Sequence, residues 1–327
     1  MTLSYALRLV CLSFASFFLL NAAASMLVWL LSDFLIRSAE KTVPRSAARF
    51  LLAVRLLPFF FGALFVLALC IPSYLWLEPH ATAERVGSLC ILFGILGAGL
   101  FFISATRAAR AVLASVRHVR LCSAAVLQHP ASGAPSDLVV VDAKAPLLAM
   151  SGVLRPRLLV SQVVLDGLSP DQLGVVLSHE LAHRRSRDNF KRFLFLLAPD
   201  LLPFLHPLRD LERTWSRFSE WAADDEATAG DPLRAVSLAA ALVQVARLGA
   251  SPELPYLSTS LLADDRDLSL RVERLLCPSS PAAPCRSRRE TGLAGSAILI
   301  VGGGLALLCL SPLALTSVHE LLEFFLR

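Results

Sequence analysis

Four stretches of the chain are apolar for longer than the core of a soluble domain requires: residues 9–31, 56–77, 86–105 and 293–315. About 20 mostly apolar residues cross a bilayer as a helix, the form that satisfies every backbone polar group internally. These runs therefore predict a multi-span α-helical membrane protein. The first run follows Arg8 as a signal peptide would, but it is too long for a typical apolar signal segment, lacks a clear A-x-A exit and is followed by further spans, so it reads as a retained helix. The composition agrees. Of 327 residues, 55% are hydrophobic and 17% charged, against about 25% charged in an average soluble domain.

The net charge of +5 does not point to nucleic acid, because the basic residues flank the apolar runs and no nucleic-acid motif is present. Arg37, Lys41, Arg45 and Arg49 follow the first run, with Arg55 at the edge of the second. Arg107, Arg110, Arg117 and Arg120 follow the third, and Arg286, Arg288 and Arg289 precede the last. The loop between the second and third runs carries Glu78, Glu84 and only Arg85. The positive-inside rule then places the N-terminus and the short tail outside and residues 107–290 in the cytoplasm of a bacterial inner membrane. The expected organisation is a three-span region over 1–106, a cytoplasmic domain over 107–290, and a final span with its tail over 291–327. Of the seven cysteines, four lie in apolar runs. Cys122, Cys277 and Cys285 face a reducing cytosol, so no disulfide is expected.

The cytoplasmic part reads as mixed α and β. Residues 138–142 and 157–160 are short valine- and leucine-rich strands, and 145–152 form an exposed edge strand ending in a turn. Ser169, Pro170 and Gln172 spell a capping-box helix start, with the helix running from 170 to about 187. On it lies H-E-x-x-H: His179 and His183, four apart, project from one face and suit one Zn²⁺. Glu180, rotated about 100° away, reaches a metal-bound water without being a ligand. A third ligand is expected from a helix over 211–228. Glu220 would complete a two-histidine, one-carboxylate site, with Asp225 and Glu226 as alternatives, and Asp224 one turn on suits the free N–H of a ligand histidine. Between the ligands, residues 193–205 are apolar but broken by Pro199, Asp200 and Pro203. Ligands on either side of this stretch require the chain to return to the side it left, so a re-entrant or interfacial hairpin near 193–208 is expected rather than a span.

Three spans, then GVLRPRLLVS, then LSPDQLGVVLSHELAHRRSRDN, a broken apolar stretch, HPLRDLERTWSRFSEWAADDEA and a last span together resemble the BlaR/MecR-type membrane zinc metallopeptidases. More distant membrane gluzincins share the H-E-x-x-H…E-x-x-x-D core. The resemblance covers about residues 1–315 and is most specific over 152–225. It implies a gluzincin-type α+β metalloprotease domain and a zinc endopeptidase, with His179, His183 and Glu220 as ligands, Glu180 as catalytic base and Asp224 behind a ligand. Asp188 falls on the family's aspartate after the basic run. Arg271 matches an arginine that stabilises the oxyanion or forms a salt bridge, and Ala149, Met150 and Ser151 match the edge strand that holds substrate by β-augmentation. The implied partners are a protein or peptide substrate, such as a transcriptional repressor, and membrane lipid, with no direct nucleic acid. Only about a dozen residues follow 315, too few for the penicillin-binding sensor of the antibiotic-sensing members, and they carry no S-x-x-K motif of such a sensor. A proteolytically silent receptor or scaffold on the same fold is the alternative, against which every residue of the motif is intact.

Overall fold

A computed structural model describes residues 4–77, 86–124, 138–142, 145–200, 208–249, 254–261 and 265–277, with 316, 317 and 320. The expected last span, the arginines before it, the loop over 78–85 and residues 201–207 of the broken apolar stretch lie outside these. The protein is mostly helical, with a small mixed sheet.

Among the described residues, three helices are long and apolar enough to cross a membrane. They are α1 (Tyr5–Leu30), the helix formed by α3 (Pro44–Phe65), a π-helical turn (Val66–Cys70) and α4 (Ile71–Leu77), and α5 (Ser88–Ala124). α1 lies against both others, closing a core of Leu12, Phe17, Val66, Tyr74 and Cys90. Gly97 of α5 permits the close approach, since a β-carbon there would run into the Phe14 backbone carbonyl of α1. A short amphipathic helix, α2 (Ser32–Glu40), links α1 to α3.

The 37 residues of α5 extend about 55 Å at 1.5 Å per residue, nearly twice a hydrocarbon core. The sequence places a boundary near residue 106, yet the helix continues to Ala124, because no proline or glycine interrupts residues 100–124. Its second half becomes one wall of the sheet. The strands are β1 (Leu138–Val141), β2 (Leu148–Ser151), β3 (Arg157–Ser161) and β4 (Ser258–Ser260), in the order β1-β3-β2-β4. Side chains alternate along β2 and β3. Ala149 and Leu159 pack with Val141, Leu147 and Cys122 of α5, while Leu148, Met150, Leu158 and Val160 join the larger core. That core is completed by Val164 of α6 (Gln162–Gly167), Val175 and Val176 of α7 (Pro170–Ser186), Leu238 and Leu242 of α10 (Pro232–Arg247) and Leu275 of α11 (Asp265–Leu276).

The edge-strand expectation is corrected. β2 pairs antiparallel with β3 on one side and with β4 on the other, Ala149 opposite Ser260, Met150 opposite Thr259 and Ser151 opposite Ser258. Ala149, Met150 and Ser151 are consequently buried, and β4 is the terminal strand. A three-residue strand of Ser-Thr-Ser, more than 100 residues distant, carries too little pattern to be seen beforehand.

α8 (Asp188–Leu197) and α9 (Arg209–Thr228) flank the broken apolar stretch. α9 lies along α3, where Ala47, Ala48 and Leu51 meet Leu211, Trp215 and Phe218. Within this seam Arg55, 2% exposed, donates from Nη2 to Asp200 Oδ1 (2.6 Å) and from Nε to Glu212 Oε1 (2.8 Å). Removing one member of such a pair leaves the other charge buried alone, at a cost of about 3 kcal/mol or more. Arg55→Leu is therefore expected to lower the thermal unfolding midpoint in detergent by several degrees. Adding Asp200→Asn and Glu212→Gln should recover part of the loss, and an additive triple variant would show that the pair is not coupled.

Candidate metal centre

α7 begins as its capping box requires. Ser169 Oγ accepts from the Gln172 backbone N–H (3.3 Å), and Gln172 Oε1 accepts from the Ser169 N–H (2.9 Å). Its core face is Val175 and Val176. The next turns bring His179, Glu180 and His183 against α9, all between 0% and 2% exposed. From α9 come Glu220 and Asp224, also buried. Asp225 and Glu226, the alternative ligands, point elsewhere: Asp225 pairs with Arg274 (2.6 Å) and Glu226 with Arg185 (3.0 Å). Helical phase alone separates them from Glu220, once the face of α9 that meets α7 is known.

The donor atoms converge. His179 Nε2 lies 3.1 Å from His183 Nε2 and 3.4 Å from Glu220 Oε2, and His183 Nε2 lies 3.5 Å from Glu220 Oε1. A tetrahedral ion with bonds near 2.0–2.1 Å separates its ligands by about 3.3 Å, so this cluster can hold a metal ion without rearrangement. Both carboxylate oxygens of Glu180 are buried without a hydrogen-bond partner, as are those of Glu220. A buried carboxylate without a hydrogen-bond partner is costly in a protein interior, and a bound cation with its water would satisfy these oxygens.

The opposite edge of each imidazole meets a carboxylate. His183 Nδ1 is 2.8 Å from Asp188 Oδ2, and His179 Nδ1 is 2.9 Å from Asp224 Oδ1, the latter an ion-pair contact rather than an in-line hydrogen bond. Carboxylates so placed keep the proton on Nδ1 and turn the Nε2 lone pair to the centre. The sequence marks Asp188 without giving it a task; here it also accepts from Ser186 Oγ (2.7 Å), Ser219 Oγ (2.9 Å) and Lys191 Nζ (2.7 Å). Arg187 makes this possible by ending α7 in the left-handed conformation (φ 55°, ψ 43°), which reverses the chain and returns Asp188 to His183. That conformation costs a side-chain-bearing residue about 1–2 kcal/mol.

Arg271, from α11, is 3% exposed and fully engaged. It donates to both oxygens of Asp224 (Nε 2.9 Å, Nη2 2.7 Å) and to the Leu261 carbonyl (2.7 Å), and lies 3.2 Å from Glu220 Oε2. Such a residue braces the acidic pair on α9.

The electrostatics follow from these neighbours. Burial raises Glu180 to about 7, against the charges of His179 and His183. Burial likewise opposes the imidazolium form of His183, yet the Glu220 charge and the Asp188 hydrogen bond outweigh it and raise His183 to about 10. Burial would raise Glu220, but the His183 and Arg271 charges hold it well below the usual carboxylate range. Without metal, a proton therefore occupies the histidine pair at neutral pH, and a metal must displace it. The sign is definite: apparent metal affinity rises with pH until His183 itself deprotonates near 10. Calorimetry of zinc binding at pH 7 in buffers of different ionisation enthalpy should show release of about one proton. Asp188→Ala should weaken zinc roughly 10–100-fold in a chelator competition. Unchanged affinity would remove Asp188 from the centre.

A comparison with protein-family models finds no match to this chain, and one with curated proteins finds none either, so the reading of function starts from these residues.

Proposed function

We propose that the chain is a membrane-bound zinc endopeptidase of the BlaR/MecR-type group that its sequence resembles. The observation that carries this is Glu180. A carboxylate with both oxygens buried and unpartnered stands beside three convergent ligand atoms. A general base aimed at a bound water keeps its oxygens free in this way, whereas a buried structural carboxylate is paired.

Zinc held by His179, His183 and Glu220 would supply Lewis acidity, polarising a peptide carbonyl and acidifying a water. Glu180 takes the proton from the attacking water and gives it to the leaving nitrogen as the C–N bond breaks, so the products are a carboxylate and an amine. Asp188 and Asp224 hold the imidazoles in the tautomer that coordination needs. Arg271 offsets the charge of Glu220 and Asp224; with its donors already committed, positioning fits it better than direct contact with an oxyanion.

The arginine bias of the flanks supports a cytoplasmic catalytic side in a bacterial inner membrane. A substrate would then be a cytosolic or membrane-proximal protein, for which a transcriptional repressor is one fitting class. The intact set of ligands and base speaks against the silent-scaffold alternative.

The test is zinc stoichiometry on detergent-purified protein with casein cleavage in the same samples. Wild type and Glu180→Ala should each hold about one zinc per chain, and Glu220→Ala far less. Cleavage should fall about 10²–10⁴-fold in Glu180→Ala. A wild type without zinc after zinc-replete growth sinks the proposal.

A further inference from the structure

The turn that returns Asp188 to His183 also forms one wall of a cleft of about 860 Å³. It opens beside His183 and is bounded by the β2–β3 turn, by Thr259 of β4 and by the start of α8. Four arginines line it: Arg155, Arg157, Arg184 and Arg187. Among the described residues its one lining carboxylate is Asp188, whose oxygens are taken by His183, Ser186, Ser219 and Lys191. Arg155 and Arg187 are exposed, and neither forms an ion pair among the described residues. Arg155 and Arg187 therefore bring positive charge that the described walls of the cleft do not balance.

Two buried polar groups in the same walls narrow the choice of occupant. Asn189, 5% exposed, spends its amide nitrogen on the carbonyls of Met150 (3.0 Å) and Gly152 (2.9 Å), leaving Oδ1 without a donor. Thr259, 1% exposed, has no partner for Oγ1. A lipid phosphate brings no N–H and is repelled by an amide oxygen. A peptide backbone brings N–H groups at regular spacing, and acidic side chains meet the arginines. The placement of Arg187 points the same way. Glycine adopts its backbone conformation freely, so local geometry gives no reason for an arginine there, whereas the cleft does.

We propose that this cleft is the specificity subsite of the peptidase and takes an acidic stretch of substrate flanking the scissile bond. Arg155 and Arg187 meet the carboxylates, and the backbone lies along the wall that holds Asn189 and Thr259. The proposal rests on the peptidase reading.

The test uses the full-length, zinc-loaded chain in detergent and quenched fluorescent peptides that differ only in carrying Asp, Ser or Lys on both sides of the central bond. Wild type should cleave the Asp peptide with kcat/KM roughly tenfold above the Ser peptide. Arg155→Glu with Arg187→Glu should reverse the order in favour of Lys; mere damage to the fold would slow all three alike. Anisotropy on a Glu180→Gln background should give the same order of peptide binding without turnover. Equal rates for the three peptides in wild type overturn the subsite and leave the peptidase standing. Acidic preference in binding with no cleavage by wild type sinks the peptidase and keeps the ligand class. If the double variant instead loses association with phosphatidylglycerol nanodiscs while peptide preference stays put, the arginines serve lipid headgroups and the subsite falls.

Discussion

Two carboxylates one turn apart on a buried helix face repel each other and cannot stay ionised unless cations share the space. Glu220 and Asp224 of α9 impose this demand, and much of the structure around the sheet is arranged around it. Arg271 reaches in from α11 to contact both, and the imidazoles of His179 and His183 supply the remaining positive edge. The strand β4 and the segment leading to α11 are tied to the same point, since the Leu261 carbonyl accepts from Arg271. Charge compensation thus fixes how α7, α9 and α11 meet, and hydrophobic contact among Val176, Leu238, Leu242 and Leu275 fills the space beneath.

The other faces of α9 link this arrangement to the apolar helices. Trp215 and Phe218 lie on Ala47, Ala48 and Leu51 of α3, and Arg55 ties α3 to Asp200 and Glu212. The continuous α5 backs the sheet with its second half. The candidate metal centre is therefore carried by elements that run directly out of the apolar bundle, with no flexible linker among the described residues between α3 and the helix that bears Glu220. A displacement of α3 along or across its neighbours would be felt at α9 through packed side chains, which is a physical route by which events at the bundle could reach the site.

Much of this was legible from short windows of sequence. The capping box of Ser169 and Gln172 set the start of α7 at Pro170, and the 3.6-residue period put His179 and His183 on one side of it. The third member of the candidate site is less accessible. Glu220, Asp225 and Glu226 differ only in helical phase, and no local rule says which side of α9 will be buried. The sequence of Ala149, Met150 and Ser151 predicts an exposed edge because β4, the strand that covers them, has three residues and no apolar pattern. The length of α5 was missed for a related reason: the apolar run stops near residue 105, whereas the backbone continues as a helix wherever nothing interrupts it.

By itself the sequence determined which segments can cross a bilayer, the charge bias of their flanks, and the pairing of two histidines with a glutamate between them. These depend on the period of a helix and the thickness of a membrane, both of which act over about 20 residues. Only the folded chain decided that Arg271 is buried against Asp224 and Glu220, and that the arginines of two separate turns line one cleft. Arg271 and Asp224 are 47 positions apart, and such pairings arise from the packing of the whole chain, whereas Asp188 is returned to His183, five residues away, by the left-handed turn at Arg187.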